Sequence, residues 1–302
     1  MSELNGKVAI ITGAGRGLGR EEALYLAQRG VAVVVNDVDR EDANAAAKAT
    51  VEEILDAGGK AVHVAGDCAD TADSGRVFQA AVENYGDINI VINNAGFCRD
   101  NTIFSMSDEE FDSVVRVHLR GHFVNMRAAT SYWRSRAKSG EPVYGRLIST
   151  SSEAMIFGSA GQPNYAAAKA GITAMTMGAS QLMAKYGVTC NVIMPRARTD
   201  MTNSGMTAEL FKAPEEGFDV FNPANVAPLV GYLSSERAAQ ISGEVFVVWG
   251  GRVNVVQRPR LDVFYDNPKG GAWDEDSLHE SLSDYFTPEH KMVLDGFSVP
   301  PQ

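Results

Sequence analysis

Tyr165 and Lys169 are the two side chains of this sequence whose types and spacing best fit acid–base chemistry. They lie four positions apart in Gly-Gln-Pro-Asn-Tyr-Ala-Ala-Ala-Lys, and on a helix this spacing places both on one face, about a turn apart. The unperturbed pKa of tyrosine, about 10, is too high for proton transfer near neutrality, and a neighbouring ammonium group favours the phenolate. A Tyr-x-x-x-Lys pair is also common on exposed amphipathic helices, so its meaning depends on the motifs around it.

A glycine-rich segment near the N-terminus fits a dinucleotide. A β-branched run leads directly into Thr12-Gly-Ala-Gly-Arg-Gly-Leu-Gly, and a helical pattern follows. Gly13, Gly17 and Gly19 allow the backbone to approach a pyrophosphate, and the start of the helix offers free N–H groups and a positive dipole end. Because strand, loop and helix occur in this order, a nucleotide site is favoured over a simple tight turn.

A carboxylate ends the second predicted strand, in Asn36-Asp37. Asp37 follows the glycine loop by roughly 20 residues, where an aspartate accepts hydrogen bonds from the adenosine ribose and repels a 2′-phosphate. This placement favours NAD over NADP. Arg16, inside the loop, offers a partner for a phosphate and weakens the discrimination, and an aspartate at a strand end can also simply cap a turn.

Seven short β-branched runs alternate with longer helical patterns. The runs lie at 8–12, 31–37, 61–67, 88–94, 145–151, 188–194 and 243–249, and the helices between them are predicted to begin near Gly17, Glu41, Thr71, Ser107, Pro163 and Asn222. This alternation predicts a single α/β domain of the Rossmann type, doubly wound around a seven-stranded parallel sheet. We predict a dinucleotide-binding catalytic domain at residues 1–255 and a C-terminal extension at 256–302.

Two segments depart from the alternating pattern. Residues 196–222 are too long for an ordinary connection, and they follow the carboxyl end of a strand, where open α/β sheets bind ligands, so we predict a substrate lid rather than a surface insertion. Its larger apolar side chains are Met201, Met206, Leu210, Phe211, Phe218 and Phe221. The extension at 256–302 is polar and acidic, and its aromatic residues could dock on their own domain or on a neighbouring subunit.

Composition excludes several classes of function. The net charge is -11, with 27 Lys+Arg against 38 Asp+Glu and no basic run, which argues against nucleic acid and anionic membranes as partners. The N-terminus lacks the apolar stretch of a secretion signal, and no segment has the roughly 18 uninterrupted apolar residues of a membrane span, so a cytoplasmic location is expected. Three cysteines without metal-ligand spacing predict neither a disulfide framework nor a metal site.

Four motifs occur together in this chain: the glycine loop, Asn93-Asn-Ala-Gly, Ser152, and the Tyr165/Lys169 pair. In this order and spacing they resemble the short-chain dehydrogenase/reductase family, over residues 7 to about 250. The resemblance implies that Tyr165 exchanges a proton with the substrate oxygen while a hydride passes to or from the nicotinamide. Lys169 would lower the pKa of Tyr165 and hold the nicotinamide ribose.

Ser152 is implied as the residue that hydrogen-bonds the substrate oxygen. Ser149 and Ser151 are nearby candidates for the same role. Ser152 is preferred because it precedes Tyr165 by 13 residues, the separation usual in the family. The resemblance also implies that Asn94, Ala95 and Gly96 line the adenosine and ribose side of the cofactor, and that Asp67 and Cys68 meet the adenine. The full set of implied cofactor-binding residues is Gly13, Arg16, Gly17, Leu18, Gly19, Asp37, Asp67, Cys68, Asn94, Ala95, Gly96, Tyr165, Lys169, Pro195 and Thr199.

Two positions depart from the family pattern. His118, in Arg-Val-His-Leu-Arg-Gly, occupies the place of an asparagine that usually completes a proton relay. It either passes protons through water or is a packed helix residue whose backbone carbonyl serves the relay. After the sixth strand the family usually has Pro-Gly and later a threonine that touches the nicotinamide, whereas this chain has Pro195-Arg-Ala-Arg-Thr199, one residue shorter.

Four features are similar to the dehydrogenase unit of peroxisomal multifunctional β-oxidation enzymes and their bacterial relatives: Val-Val-Val-Asn-Asp-Val in the second strand, Arg-Val-His-Leu-Arg-Gly, Gly-Gln-Pro-Asn-Tyr and the long C-terminal tail. That resemblance, with the apolar lid, implies an NAD-dependent enzyme that acts on a lipid-like secondary alcohol, as a 3-hydroxyacyl-CoA or a hydroxysteroid. The alternatives are a non-catalytic NAD-binding sensor, an enzyme for a small polar alcohol, and, less favoured, an epimerase or dehydratase. The family further implies a homo-oligomer, dimer or tetramer, joined through the helices that begin near Ser107 and Pro163.

Overall fold

The computed structural model describes residues 3–203, 207–257, 264–283 and 285–286. The chain separates into two compact units, Met1–Val256 and Gln257–Gln302. Among the described residues of the second unit there is one helix, Glu275–Ser283, whose first turn is fixed by hydrogen bonds between Asp274 and Ser277. Everything described below belongs to the first unit.

The first unit alternates strands with helices. The strands are β1 Val8–Thr12, β2 Ala32–Asp37, β3 Lys60–Ala65, β4 Ile90–Asn93, β5 Gly145–Thr150, β6 Val188–Pro195, β7 Val245–Trp249 and β8 Arg252–Val255. The α-helices are α1 Gly17–Ala27, α2 Glu41–Asp56, α3 Thr71–Tyr85, α4 Asp108–Val115, α5 Gly121–Lys138, α6 Ala154–Phe157, α7 Pro163–Met183, α8 Thr207–Leu210 and α9 Ala227–Leu233. A π-helical turn, Arg116–Arg120, joins α4 to α5, and 3-10 turns lie at Ala184–Tyr186, Pro223–Asn225 and Glu236–Ala238.

All of the first seven strands are parallel, in the order β3-β2-β1-β4-β5-β6-β7. This confirms the predicted Rossmann-type doubly wound fold, with one correction. The sheet has an eighth strand, β8, which pairs antiparallel with β7 through a hairpin at Gly250, where φ is +48°. The sequence did not reveal β8 because it is an exposed edge strand and lacks the continuous apolar run of a buried parallel strand.

The sixth predicted helix starts later than expected. The segment after Asn222 first forms the 3-10 turn Pro223–Asn225, and the α-helix begins at Ala227. Asn222 caps that turn, because its side chain accepts a hydrogen bond from the backbone of Ala224 at 2.9 Å. The capping box predicted by Ser107 and Glu110 is present at the start of α4.

Alternate residues of the central strands pack on opposite faces of the sheet. Ile11 and Val33 pack against residues of α1 and α9 on one face. Ile10 and Val34 pack against residues of α3, α5 and α7 on the other. Burying a large apolar side chain in this way stabilises the fold by about 1.5–3 kcal/mol, so the two helical layers hold the strand ends in place on both sides.

Strand β1 has neighbours on both sides that belong to different halves of the fold. It pairs with β2, which follows it in sequence, and with β4, which follows only after β2 and β3. The direction in which the sheet grows therefore reverses beside β1. In open α/β sheets this reversal opens a crevice at the carboxyl ends of the strands, where ligands bind.

The predicted lid, residues 196–222, contains the short helix α8 and is held together by its own contacts. The Arg198 side chain forms an ion pair with Asp219 and donates a hydrogen bond to the Phe211 carbonyl at 3.0 Å. The rings of Phe211 and Phe221 lie 4.7 Å apart and both are buried. Met201, Leu210 and Phe218 are exposed, and Met206 lies outside the described residues. The role of the segment as a lid stays a prediction.

Among the helices that the structure describes, we find none that combines the length and the apolar character needed to cross a lipid bilayer.

One acidic side chain lies inside the core. Glu22, on α1, is fully buried, and neither of its carboxyl oxygens has a hydrogen-bond partner among the described residues. Burial raises the pKa of Glu22 to about 8, because an unpaired carboxylate is costly in an apolar environment. Glu22 therefore keeps its proton in the folded protein at neutral pH.

We predict that Glu22→Gln stabilises the protein above neutral pH. The folded protein holds this proton up to a pH of about 8, whereas the unfolded chain releases it near a pH of about 4.3. The wild type therefore loses free energy of unfolding as the pH rises between these values, and a neutral amide does not. Urea unfolding at about pH 8 should show the variant more stable by roughly 2–5 kcal/mol, with little difference at about pH 4.5.

Glu52→Gln is the matched control, since Glu52 is an exposed acid on α2. It should leave the pH dependence of the unfolding free energy unchanged. If both variants follow the wild-type pH dependence, the burial of Glu22 is not what sets it.

Candidate active site

Helix α7 brings Tyr165 and Lys169 together at the carboxyl end of the sheet. Pro163 occupies the first turn of α7, where a missing N–H is harmless. The Lys169 Nζ lies 5.3 Å from the centroid of the Tyr165 ring and donates a hydrogen bond of 2.6 Å to the carbonyl of Thr150, the last residue of β5. The amine is buried, so this carbonyl fixes both its position and the helix face that it occupies.

The electrostatics of the pair differ from the sequence prediction. The sequence predicts that Lys169 lowers the pKa of Tyr165, whereas in the structure burial raises the pKa of Tyr165 above its usual value. A hydrogen bond with the Ser152 side chain opposes this rise. Burial also lowers the pKa of Lys169 to about 7. Tyr165 is therefore a protonated phenol at neutral pH, able to donate a proton to a carbonyl oxygen, and an additional cation beside the ring would favour the phenolate needed for alcohol oxidation.

Of the three serines at the end of β5, Ser152 is the one that faces Tyr165. The hydroxyls of Ser149 and Ser151 form hydrogen bonds of 2.9 Å with Thr176 and Thr173 of α7. Both are buried, so they join the sheet to the helix. The Ser152 hydroxyl accepts a hydrogen bond of 3.2 Å from the backbone of Ala154 and also forms a hydrogen bond with the Tyr165 side chain.

His118 lies against the same tyrosine. Its ring is buried in the π-helical turn and meets the Tyr165 ring edge-on at 5.1 Å between centroids. Its Nε2 lies 2.8 Å from the carbonyl oxygen and 3.1 Å from the amide nitrogen of Phe97. The space that the ring occupies exists because residue 96 is glycine: a Cβ there would lie 2.0 Å from the His118 Cε1.

The structure limits both roles expected for His118, the proton relay through its ring and the relay through its backbone carbonyl. Burial and the nearby Lys169 charge hold the pKa of His118 well below its usual value, so the ring stays neutral at physiological pH. Its backbone carbonyl accepts a hydrogen bond of 2.7 Å from the Nδ1 of His122. Burial lowers the pKa of His122 to about 3, so His122 is neutral as well. Sequence reasoning missed His122, although a second histidine four residues after the first, on the same helix face, is a signal that could have found it.

The glycine loop meets the geometric requirements of a pyrophosphate cradle. Gly13 has a φ of +64°, and a Cβ there would lie 2.8 Å from the Ala95 Cα. Gly17 has a φ of +54°, and a Cβ on Gly19 would lie 2.4 Å from the Gly13 carbonyl oxygen. Arg16, at the N-cap of α1, makes no side-chain capping hydrogen bond, so its side chain does not occupy the N–H groups of the first turn, which can accept an anion as a partner.

Asp37 lies beside this loop. Its Oδ2 accepts a hydrogen bond of 3.0 Å from the Gly15 amide, and its Oδ1 accepts one of 2.9 Å from the Val38 amide. Each carboxylate oxygen keeps a second lone pair for a ribose hydroxyl. Arg16 is paired with Asp42, through a hydrogen bond of 2.8 Å to its carbonyl and an ion pair of 3.3 Å to its carboxylate.

Asn94 and Ala95 hold the end of β4 against the glycine loop. The Asn94 side chain donates hydrogen bonds to the carbonyls of Thr12 and Gly13, at 3.2 and 3.1 Å. The amides of Asn94 and Ala95 both donate to the Thr12 hydroxyl at 3.1 Å. The Asn-Asn-Ala-Gly motif therefore aligns the carboxyl ends of β1 and β4, which form the crevice.

Asp67 and Cys68, which were expected near the adenine, have protein partners of their own. Asp67 forms an ion pair of 2.6 Å with Arg116, in the π-helical turn, and accepts a hydrogen bond of 2.8 Å from the Ala69 amide. Cys68 is buried against the same turn, and burial raises its thiol pKa to about 12. Sequence reasoning did not identify Arg116 as a partner of Asp67.

Thr199, in the segment that follows β6, approaches the glycine loop. A Cβ added to Gly17 would lie 3.4 Å from the Thr199 Cγ2, so the start of the lid segment lies next to the loop. Pro195 is the last residue of β6 and pairs with Val248 of β7. Leu18 is buried in the core beneath the loop, so its backbone rather than its side chain faces the crevice.

Comparison with known proteins agrees with this geometry. The short chain dehydrogenase family model matches residues 7–213. A hydroxyacyl-CoA dehydrogenase of Mycobacterium tuberculosis, ChsB1, is 48% identical over 296 residues, which cover 94% of this chain and 90% of that protein. The peroxisomal multifunctional enzyme type 2 of Drosophila melanogaster is 36% identical over 85% of this chain, which corresponds to 43% of the length of that protein.

Among solved structures, a short chain dehydrogenase from Mycobacterium avium superposes with a TM-score of 0.84 and 42% identity, covering 94% of this chain and 95% of that one. The chain belongs to the short-chain dehydrogenase family. It is an oxidoreductase that acts on CH–OH groups and binds a nicotinamide dinucleotide. That cofactor accepts or donates the hydride, and the glycine loop, the uncapped start of α1 and Asp37 form a cradle that fits it.

We predict that Gly96→Ala impairs both stability and turnover, because the new methyl group needs the space of the His118 ring. The ring is fully buried, so the backbone or the ring must shift, at a cost of about 1–3 kcal/mol. Thermal unfolding and initial rates measure the two effects.

The control for this prediction is Gly75→Ala, on α3, where a Cβ meets no atom within 4 Å and a helical alanine should stabilise slightly. A second change, His118→Ala in the Gly96→Ala background, should restore part of the lost stability. If the single variant Gly96→Ala is as stable as the wild type, the close approach of residue 96 to the His118 ring does not constrain the residue type at position 96.

Proposed function

We propose that this protein is an NAD-dependent dehydrogenase of lipid-like secondary alcohols, with 3-hydroxyacyl-CoA as the substrate class. The observation that carries the proposal is the grouping of Tyr165, Ser152 and Lys169 at the crevice beside the glycine loop. In the proposed oxidation Ser152 would hydrogen-bond the substrate oxygen, and the phenolate form of Tyr165 would accept the alcohol proton while the hydride passes to the bound dinucleotide. In the reverse direction the Tyr165 phenol would donate its proton to the carbonyl oxygen. Lys169 binds the nicotinamide ribose, and His118 holds the tyrosine ring in its orientation.

The cost of burying this site favours an enzyme over a sensor. Burial shifts the pKa values of Tyr165 and Lys169 in the directions that oppose ionisation of each group. Keeping these two groups buried therefore lowers the stability of the folded protein. A dinucleotide sensor needs the glycine loop and Asp37 but neither of these two groups. Shifted titratable groups grouped in a crevice are typical of catalysis.

The preference for NAD rests on charge at the adenosine end. The Asp37 carboxylate lies on the glycine loop, where a 2′-phosphate would be repelled. The two arginines of this region, Arg16 and Arg40, both contact Asp42. These contacts reduce the positive charge available to a 2′-phosphate and so support NAD.

The lipid-like substrate class is supported by two observations. The relatives described above are named as a hydroxyacyl-CoA dehydrogenase and a peroxisomal multifunctional enzyme. The lid segment presents the apolar side chains of Met201, Leu210 and Phe218 to its surroundings, and apolar surface of this kind fits an acyl chain or a sterol better than a polyol.

The assembly and the location of the protein stay predictions. Exposed apolar side chains on α4, α5 and α7, namely Phe111, Phe123 and Leu182, support a homo-oligomer joined through these helices. The cytoplasmic location expected from the sequence has no further support. The residue roles proposed for the cofactor, including those of Pro195, Thr199, Asp67 and Cys68, are likewise proposals.

We predict that Tyr165→Phe lowers turnover by about 10²–10⁴-fold and leaves dinucleotide affinity nearly unchanged, because only the proton-transferring hydroxyl is lost. The assay supplies NAD with 3-hydroxyacyl-CoAs, hydroxysteroids and polyols, and NADH binding is followed by fluorescence. Tyr186→Phe is the control, since Tyr186 also has a lysine over its ring, at 5.2 Å, outside the crevice.

Two results would count against the proposal in different ways. Undiminished turnover by Tyr165→Phe would remove the catalytic assignment. Wild-type turnover of polyols alone would keep the chemistry and remove the lipid-like substrate class.

We predict that Asp37→Asn reduces the preference for NAD over NADP by about tenfold or more, because the variant lacks the charge that repels a 2′-phosphate. Ratios of kcat/KM for the two cofactors measure this change. Asp39→Asn, two residues further along the same turn, is the control; Asp39 accepts a hydrogen bond from Asn44 at 2.8 Å and should not alter the ratio. Equal shifts in the two variants would contradict a specific role for Asp37.

A further inference from the structure

A nearly buried ion pair lies directly beside Ser152. Glu153, the next residue in the chain, meets Arg196, the first residue after β6, through two hydrogen bonds: Nε to Oε2 at 2.7 Å and Nη2 to Oε1 at 2.8 Å. The two side chains are only 10% and 11% exposed. This is the two-pronged geometry in which an arginine fixes a carboxylate most rigidly.

The same arginine also contacts the next strand. The Arg196 guanidinium lies 4.2 Å from the centroid of the Trp249 ring, at the end of β7, and the Arg196 amide donates a hydrogen bond of 2.9 Å to the Val248 carbonyl. Glu153, Arg196 and Trp249, which we call the strand-end clamp, therefore join the carboxyl ends of β5, β6 and β7. These three strands are neighbours in the sheet.

Stability alone is a weak reason for such a pair. Removing two charges from water costs several kcal/mol, and apolar residues of similar volume often stabilise a protein as well or better. The position of the pair is more informative. Glu153 directly follows Ser152 in the chain, and Arg196 directly follows the last residue of β6, so the pair joins two strand ends at the candidate active site.

The backbone on both sides of Ser152 is fixed by different partners. Before it, the Ser151 amide donates to the Ile193 carbonyl at 2.7 Å and the Ser151 hydroxyl to the Lys169 carbonyl at 3.0 Å. After it, Glu153 is the N-cap of α6, and its carbonyl accepts from Ile156 at 2.8 Å. The Glu153 side chain ties this start of α6 to β6 through Arg196.

We propose that Glu153 and Arg196 are positioning residues that set the orientation of the Ser152 hydroxyl toward the substrate oxygen. The inference rests on the proposed role of Ser152 and adds to it the two residues that hold that serine in place. Without the clamp, the start of α6 that follows Ser152 loses the side-chain contact that joins it to the end of β6. A shift of about 1 Å in a group that contacts the reacting atoms can cost on the order of 100-fold in rate.

The test compares Arg196→Lys and Glu153→Gln with the wild type. The lysine keeps the positive charge and loses the two-pronged contact, while the glutamine keeps the shape and loses the negative charge. For both variants we expect kcat to fall by about 10- to 100-fold, with smaller changes in KM and in NADH affinity. The double variant should lose little more than the larger single effect, because both residues act through one contact.

Arg136→Lys is the matched control. Arg136 forms ion pairs of 3.1 Å with Asp87 and 3.0 Å with Glu141 and also lies near an aromatic ring, that of Tyr132. Asp87 precedes β4, so this arginine lies at the opposite, amino-terminal end of the strands. Its variant should show a modest loss of stability and an unchanged kcat.

Hydrogen–deuterium exchange of the amides at 151–157 gives a readout that does not depend on turnover. Exchange there should be faster in Arg196→Lys and Glu153→Gln than in the wild type and in Arg136→Lys. If the wild type oxidises no hydroxyacyl-CoA, the proposed function fails, and this comparison still decides whether the clamp orders the segment. Unchanged exchange, an unchanged kcat in a folded variant, or a rise in KM alone would overturn the inference.

Discussion

The pairing of β1 with both β2 and β4 is the constraint on which the rest of the molecule depends. It places the glycine loop after β1 beside the Asn-Asn-Ala-Gly motif after β4, and Thr12 and Asn94 join the two through their side chains. The cradle for the dinucleotide is therefore the direct result of a reversal in strand order. The candidate catalytic groups lie at the same carboxyl edge of the sheet, next to the end of β5.

Burial shifts the pKa values of the titratable groups at this edge, and it also makes these groups unfavourable for the stability of the fold. Lys169, His118 and His122 all have lowered pKa values, because the interior disfavours their charged forms. Tyr165 is shifted in the opposite direction for the same reason. The protein tolerates these desolvated groups because two apolar layers on the sheet supply the stability, and short backbone contacts such as Lys169 to Thr150 hold each group in one orientation.

Local patterns carried much of the prediction. The seven parallel strands were visible as β-branched runs because a strand covered on both faces must be apolar throughout. Edge strand β8, with one neighbour and exposed side chains, has no such pattern. The Tyr165/Lys169 pair was visible because both belong to one helix, whereas the ion pair beside Ser152 was not, since Glu153 and Arg196 are 43 positions apart in the chain.

By itself the sequence determined the fold class, the family and the residue types of the site, because periodicity, turn glycines and motif spacing are local properties of a chain. Only the tertiary structure decided the direction of the Tyr165 pKa shift, the partner of the His118 carbonyl and the pairing of Arg196 with Glu153. These depend on burial and on contacts between distant strand ends. Desolvation and side-chain geometry arise only when the chain is packed, so no local pattern encodes them.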